Sequence, residues 1–206
     1  MSMVRLHTSA LILTEFRQIG GSRRGLLKLR SRPLIQYVFE SIPDEVDELV
    51  VSVADESEAE EYREIVEQYL GSFVMSSNVA LPKIVHGVLS EKRTDRVLVL
   101  PCDAPLLTVE FTTFLLDLTR GFNAAVPSSP EGDRNYFFSA YRAEEFLRAY
   151  EVTFNKDSMG DVVGGMRNVI YLNYRALRSL DPKLTFILRV NGPEDLRRAE
   201  LLMQRR

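Results

Sequence analysis

Residues 96–107 read Arg-Val-Leu-Val-Leu-Pro-Cys-Asp-Ala-Pro-Leu-Leu. The apolar run Arg96–Leu100 is continuous, without the polar-apolar alternation of a half-exposed strand, so it reads as a strand covered on both faces. It leads straight into Asp103, held between Pro101 and Pro105. A carboxylate so rigidly mounted at the tip of a buried parallel strand points into the crevice where open α/β sheets bind ligands. A hard oxygen there suits Mg²⁺, which favours one or two carboxylates together with phosphate oxygens and water. The same residue also has a purely structural reading, as a turn aspartate bonded to its own backbone.

Working outward, similar runs occur at Ser9–Leu13 and Leu49–Ala54, with a weaker candidate at Ser72–Met75. Helical spacing lies between them. Pro33 opens a segment with Leu34, Ile35, Val38, Phe39 and Ile42 on one face, and Tyr62, Ile65, Val66, Tyr69 and Leu70 form the next stripe. Leu81, Ile84, Val85, Val88 and Leu89 repeat the pattern, as do Phe111, Phe114, Leu115 and Leu118. This alternation predicts an α/β fold with a mostly parallel sheet and helices on both faces. After Phe122–Pro127 the pattern loosens, with strands expected at Tyr136–Tyr141 and Asn168–Leu172. Asn191-Gly-Pro-Glu-Asp195 opens a last helix, with proline and acids in its first turn. The 206 residues, without linker or repeat, are expected to form a single domain, 1–206.

Charge is uneven along the chain. The total is −3, from 26 Lys and Arg against 29 Asp and Glu, so a globally basic nucleic-acid binder is not expected. Yet residues 17–32 carry Arg17, Arg23, Arg24, Lys28, Arg30 and Arg32 with no acid. With Gly20, Gly21 and Gly25 among them, just after the first strand, they have the composition of a phosphate-binding loop: glycine lets backbone N–H groups approach an anion, and arginine adds forked donors. Neither a Walker A loop nor G-x-G-x-x-G is present, and a solvated basic patch meeting RNA or an acidic partner is the competing reading. The single Cys102 excludes an internal disulfide and suits a reducing cytoplasm. No histidine lies near it in sequence, so covalent cysteine catalysis is not expected, and His7 and His86 read as surface residues. The short apolar start and mean hydropathy of −0.10 point away from a membrane protein.

Three stretches, in order, resemble the MobA-like nucleotidyltransferases, the molybdenum cofactor guanylyltransferases and their relatives. That family shows L-A-G-G-x-S-x-R-M-G-x-x-K-x-L-L-x-L-x-G-x-P-L near its start, V-L-V-L-P-C-D-M-P-L-L in its middle and N-T-P-E-D-L near its end. Here G-G-S-R-R-G-L-L-K-L-R-S-R-P-L-I follows the back half of the first, Val97–Leu107 matches the second at nearly every place, and Asn191–Leu196 matches the third except at Gly192. The departures are Thr14-Glu15-Phe16 in place of A-G-G, a loop about two residues shorter, Gln18 at an arginine position and Arg24 at that of the phosphate-neutralising lysine.

The resemblance implies a three-layer α/β/α, Rossmann-like sheet with an antiparallel edge strand, of the nucleotide-diphospho-sugar transferase type. It implies a cytoplasmic, Mg²⁺-dependent enzyme, monomer or homodimer, that moves GMP from GTP onto a phosphorylated cofactor such as molybdopterin. Asp103 and Asn191 would hold the metal, and Arg24 and Asp103 would be catalytic. Leu13, Thr14, Arg17, Gly20, Gly21, Arg23, Arg24 and Asp55 would bind nucleotide. Glu15 would repel a triphosphate unless Mg²⁺ or an arginine intervenes. Two alternatives stand beside this: guanylyl transfer to adenosylcobinamide phosphate, and a nucleotide- or cofactor-binding protein with weakened catalysis on the same scaffold.

Overall fold

The computed structural model describes residues 5–14 and 23–204. Strand β1 (Thr8–Leu13) is followed, after a single 3₁₀ turn at Arg24–Leu26, by the short strands β2 (Lys28–Leu29) and β3 (Arg32–Pro33) and by helix α1 (Leu34–Phe39). Then come β4 (Glu48–Val53), α2 (Glu56–Gln68), β5 (Ser72–Met75), α3 (Leu81–Glu91), β6 (Arg96–Pro101) and α4 (Val109–Leu118). The remainder is β7 (Ala124–Ser128), β8 (Ser139–Arg142), α5 (Ala143–Val152), α6 (Met159–Gly164), β9 (Val169–Asn173), α7 (Tyr174–Leu177), a 3₁₀ turn at Thr185–Ile187 and α8 (Pro193–Met203).

Seven strands form one sheet in the order β5-β4-β1-β6-β8-β7-β9. β5, β4, β1 and β6 are mutually parallel, as are β7 and β9. The one antiparallel strand, β8, pairs with both β6 and β7. The expected mostly parallel, helix-flanked sheet is thus present, and its antiparallel pairing falls at the join between the four-strand half and the β7–β9 pair. Ala140 and Tyr141 of β8 are fully buried there, on opposite faces, which is the environment of an inner strand. A short β2–β3 hairpin and helices α5, α6 and α7 add to the elements legible in the sequence, and Tyr136–Phe138 precede their strand instead of opening it.

Alternate residues of each strand feed two cores. Ile12, Val51, Val53, Leu98 and Leu100 meet Tyr62, Val66, Phe111 and Leu115 on one face. Leu11, Leu13, Val50, Val97 and Val99 meet Val85, Val88, Phe146 and Val162 on the other. This is why the strands read as unbroken apolar runs. A third cluster joins Leu29, Leu34 and Leu106 to Val190 and Ala199, and so fastens the basic segment to the last helix, far away in sequence. No helix among the described residues is long and apolar enough to cross a membrane.

The chain leaves β1 toward β4 on one side and returns to β6 on the other, so strand order reverses beside β1. The carboxyl ends of β1 and β6, paired through Leu13 and Pro101, therefore flank the crevice in which such sheets hold ligands.

Candidate functional site

Asp103 sits at that reversal, fully buried. Its main-chain carbonyl accepts the Val190 N–H at 2.8 Å. Its carboxylate takes a fork from Arg189, with Nε 2.7 Å from Oδ1 and Nη2 2.9 Å from Oδ2. Oδ2 also accepts from Arg24 Nη1 at 3.2 Å. The same Arg24 nitrogen donates to Asn191 Oδ1 at 3.0 Å. One cationic N–H group thus bridges Asp103 and Asn191, 88 positions apart in the sequence.

Each partner is held by its own element. Arg24 opens the 3₁₀ turn, and the next residue, Gly25, is buried against Tyr62 and Cys102. A Cβ at Gly25 would lie 2.7 Å from the Tyr62 hydroxyl and 3.2 Å from Cys102 Cβ, so only glycine lets this turn approach β6 so closely. Asn191 precedes α8, and the Asp195 carboxylate reaches back to its N–H at 2.9 Å, a capping arrangement that fixes the segment. The N-G-P-E-D sequence therefore works as a mount for Asn191.

The other expected residues have different surroundings. Arg23 turns toward α2, 3.3 Å from Glu61 and 3.7 Å from Glu58. Asp55 caps α2 by accepting the Glu58 N–H at 2.9 Å, while Glu58 returns to the Ala54 N–H at 2.7 Å. Leu13 and Thr14 are buried at the crevice end of β1, and the Thr14 hydroxyl donates to the Ser52 carbonyl. Arg17, Gly20 and Gly21, like Glu15, lie outside the described residues. Cys102 is fully buried, and burial first, then the Asp103 carboxylate, push its thiol well above the ordinary value. It is a packed, protonated side chain, consistent with the expectation against a cysteine nucleophile. His7 and His86 are both partly exposed.

Arg189 was not singled out by sequence reasoning. Its guanidinium carbon lies 4.8 Å from the centre of the Phe137 ring, so the side chain is clasped between an aromatic face and a carboxylate. Within Tyr136–Phe138, Phe138 lies in the core and Phe137 against Arg189. The 155–158 loop is tied to α3 through Lys83 and Asp157 at 2.6 Å, and Ser158 caps α6.

Chemically, the cluster brings two guanidinium groups, forked donors of the kind that bind phosphate, onto one carboxylate at the mouth of the crevice. The donor set also fits Mg²⁺. Two hard oxygens, Asp103 Oδ2 and Asn191 Oδ1, already face one cationic nitrogen. The described residues contain no cluster of three or more His, Cys, Asp and Glu that would form an all-protein cage, so phosphate and water oxygens would complete the shell.

Known proteins resemble this chain along most of its length. Residues 17–170 match the model of the MobA-like NTP transferase domain. A protein of Methanosarcina acetivorans named as a probable molybdenum cofactor guanylyltransferase is 25% identical over 198 residues, covering 91% of this chain and 88% of that one. A Methanothermobacter thermautotrophicus protein of the same name is 29% identical, with 86% and 90% covered. Among solved structures, the molybdopterin-guanine dinucleotide biosynthesis protein A of Archaeoglobus fulgidus superposes with a TM-score of 0.73 at 21% identity, covering 96% of this chain and 100% of that one. A CMP:2-keto-3-deoxy-manno-octonic acid synthetase solved with CTP shares the fold at a TM-score of 0.67 and 17% identity, with 97% and 99% covered. With the family match spanning most of its length, the chain belongs to the MobA-like NTP transferase family, a family of nucleotidyltransferases.

Proposed function

We propose that this protein transfers GMP from GTP to a phosphorylated cofactor of the molybdopterin class, with Mg²⁺ as cofactor and pyrophosphate as the second product. The observation that carries this reading is the convergence of Arg24, Asp103 and Asn191 at the strand-order reversal. The names of the relatives support guanylyl transfer in particular.

In this reaction a phosphate oxygen of the acceptor attacks the α-phosphorus of GTP. The bond from that phosphorus to the bridging oxygen breaks, and pyrophosphate leaves with the electron pair. The demand on the protein is positioning and charge neutralisation. Arg24 moves from Asp103 and Asn191 onto the β- and γ-phosphates and offsets the charge that grows on the leaving group. Asp103 and Asn191 would hold the metal, which when bound would supply charge neutralisation of the phosphate oxygens. Thr14 and Leu13 close the floor of the crevice, and the glycine-rich segment at Gly20 and Gly21, with Arg17, supplies further N–H and guanidinium donors to the phosphates. Arg23 and Asp55 support the nucleotide side through α2, whose first turn they organise. The reactants are small molecules, and no nucleic acid takes part.

The test is pyrophosphate release from GTP and Mg²⁺ with molybdopterin as acceptor, with adenosylcobinamide phosphate in a parallel arm. Turnover with molybdopterin that disappears in Asp103→Ala is the expected result. Turnover only with adenosylcobinamide phosphate would reassign the acceptor. Thermal stabilisation by GTP without turnover on either acceptor would replace the transferase reading with a binding protein. Full activity in Asp103→Ala would refute the role given to that residue.

A further inference from the structure

We infer that Arg189 is a positioning residue for nucleotide binding: it keeps Asp103 paired so that Arg24 is able to leave the carboxylate for a triphosphate. The inference rests on the nucleotidyltransferase reading and adds to it a residue outside the expected set.

The two arginines hold Asp103 in unlike ways. Arg189 makes a two-point fork of 2.7 and 2.9 Å, its guanidinium lies against Phe137, and the adjoining Val190 N–H binds the Asp103 carbonyl. It is anchored by side chain, ring and backbone at once. Arg24 touches one carboxylate oxygen, at 3.2 Å, and shares the same nitrogen with Asn191. Arg189 is thus the more firmly mounted partner of Asp103.

Burial makes the difference matter. The Asp103 side chain has no solvent exposure, and a buried carboxylate stripped of its counter-charge is strongly disfavoured. If Arg24 alone neutralised it, handing Arg24 to a phosphate would strand that charge, and the carboxylate would compete with the ligand. With the Arg189 fork in place, the departure of Arg24 leaves Asp103 paired. Arg189 therefore acts on the ligand through Asp103 and Arg24, without touching the phosphate.

The experiment is calorimetric titration of the full-length protein with inorganic tripolyphosphate and with GTP. It is run in EDTA, so that any metal held by Asp103 plays no part, and repeated with Mg²⁺. Arg189→Gln is expected to bind tripolyphosphate about tenfold more weakly, the scale of one charge-assisted contact. Arg189→Lys, which keeps the charge but loses the fork and the ring contact, is expected to fall between wild type and Arg189→Gln. The decisive variant is Arg189→Gln combined with Asp103→Asn. With the charge at position 103 removed, it is expected to recover wild-type affinity in EDTA.

A folded Arg189→Gln protein that binds like wild type would overturn the inference. So would a double variant no better than Arg189→Gln, the signature of direct phosphate contact by Arg189. Should Arg189→Gln fail to fold, Arg189→Lys and the double variant still decide, since neither leaves a buried charge without compensation. Wild-type protein that binds neither probe, with or without Mg²⁺, would remove the nucleotidyltransferase reading and this inference together. Wild-type binding without the suppression removes the inference alone.

Discussion

Gly25→Ala tests how the site is mounted. The added Cβ would sit 2.7 Å from the Tyr62 hydroxyl, 3.0 Å from its Cε1 and 3.2 Å from Cys102 Cβ. Tyr62 has no room to retreat, because it is fully buried in the core between α2 and the sheet, and Cys102 is fixed by a backbone bond from its N–H to Leu13 at 3.1 Å. Overpacking of this kind typically costs about 1–3 kcal/mol. For a domain of this size each kcal/mol corresponds to a shift of about 2–4 °C, so a fall in Tm of roughly 2–12 °C is expected. The larger effect is on function, since the turn must move away from β6 and carries Arg24 with it. A displacement of even 1 Å puts the Arg24 guanidinium out of line with the phosphates it is proposed to neutralise, and the rate of the proposed transfer is expected to fall by about two orders of magnitude. Combining Gly25→Ala with Tyr62→Phe removes the shortest clash and is expected to restore most of the stability and part of the activity. Differential scanning calorimetry and initial rates on the four proteins of this cycle provide the check. A Gly25→Ala protein with wild-type Tm and rate would show that the turn does not depend on this close approach.

Other expectations follow from the same geometry. Asp195→Ala removes the carboxylate that caps the Asn191 N–H, and is expected to cost about 1 kcal/mol in urea unfolding and to raise the KM for the proposed substrate GTP. Cys102 is expected to resist thiol reagents in the native protein and to react at once in denaturant, and rapid native labelling would contradict its burial. Glu145 receives side-chain bonds first from Arg148 and then from Arg167, and these hold its carboxyl far below the usual carboxylate range. Because the folded-state value is depressed, its stabilising contribution is complete above the unfolded value near 4.3 and is lost as pH falls below it toward the folded-state value. Glu145→Gln is therefore expected to lower stability at pH 7 and to flatten its decline between pH 5 and 2 in urea melts. An unchanged acid limb would show that Glu145 does not drive it.

Local sequence determined the frame. The runs at Ser9–Leu13, Leu49–Ala54 and Arg96–Leu100 are apolar at every position or nearly so, because both faces of a central parallel strand are covered, and such a pattern is legible without coordinates. Asp103 was legible for a related reason: a strand tip between two prolines has one conformation and one outlook. Asn191 was readable from the helix-start signals after it.

What the chain alone left open is which distant groups share the site and what each does there. Arg23 and Arg24 are neighbours of equal charge, and sequence does not divide their work. Packing sends Arg23 to Glu58 and Glu61 and Arg24 to Asp103, because burial of Gly25 between Tyr62 and Cys102 sets the direction of the turn. Asp55, open in sequence to a ligand role, caps α2 because its backbone is extended at the start of that helix. The chain turns back after β7 at 129–133, where Pro130 and Gly132 mark the turn, but that local signal does not say that β8 will go on to pair with β6 as well. Arg189, a single basic residue in an unremarkable stretch, becomes a partner of Asp103 only when the third core brings the 188–190 segment against Leu29 and Leu106. Periodicity and capping act over one or two turns of chain and are written locally. A pairing of charges 86 positions apart is decided by tertiary packing, which alone brings them within 3 Å.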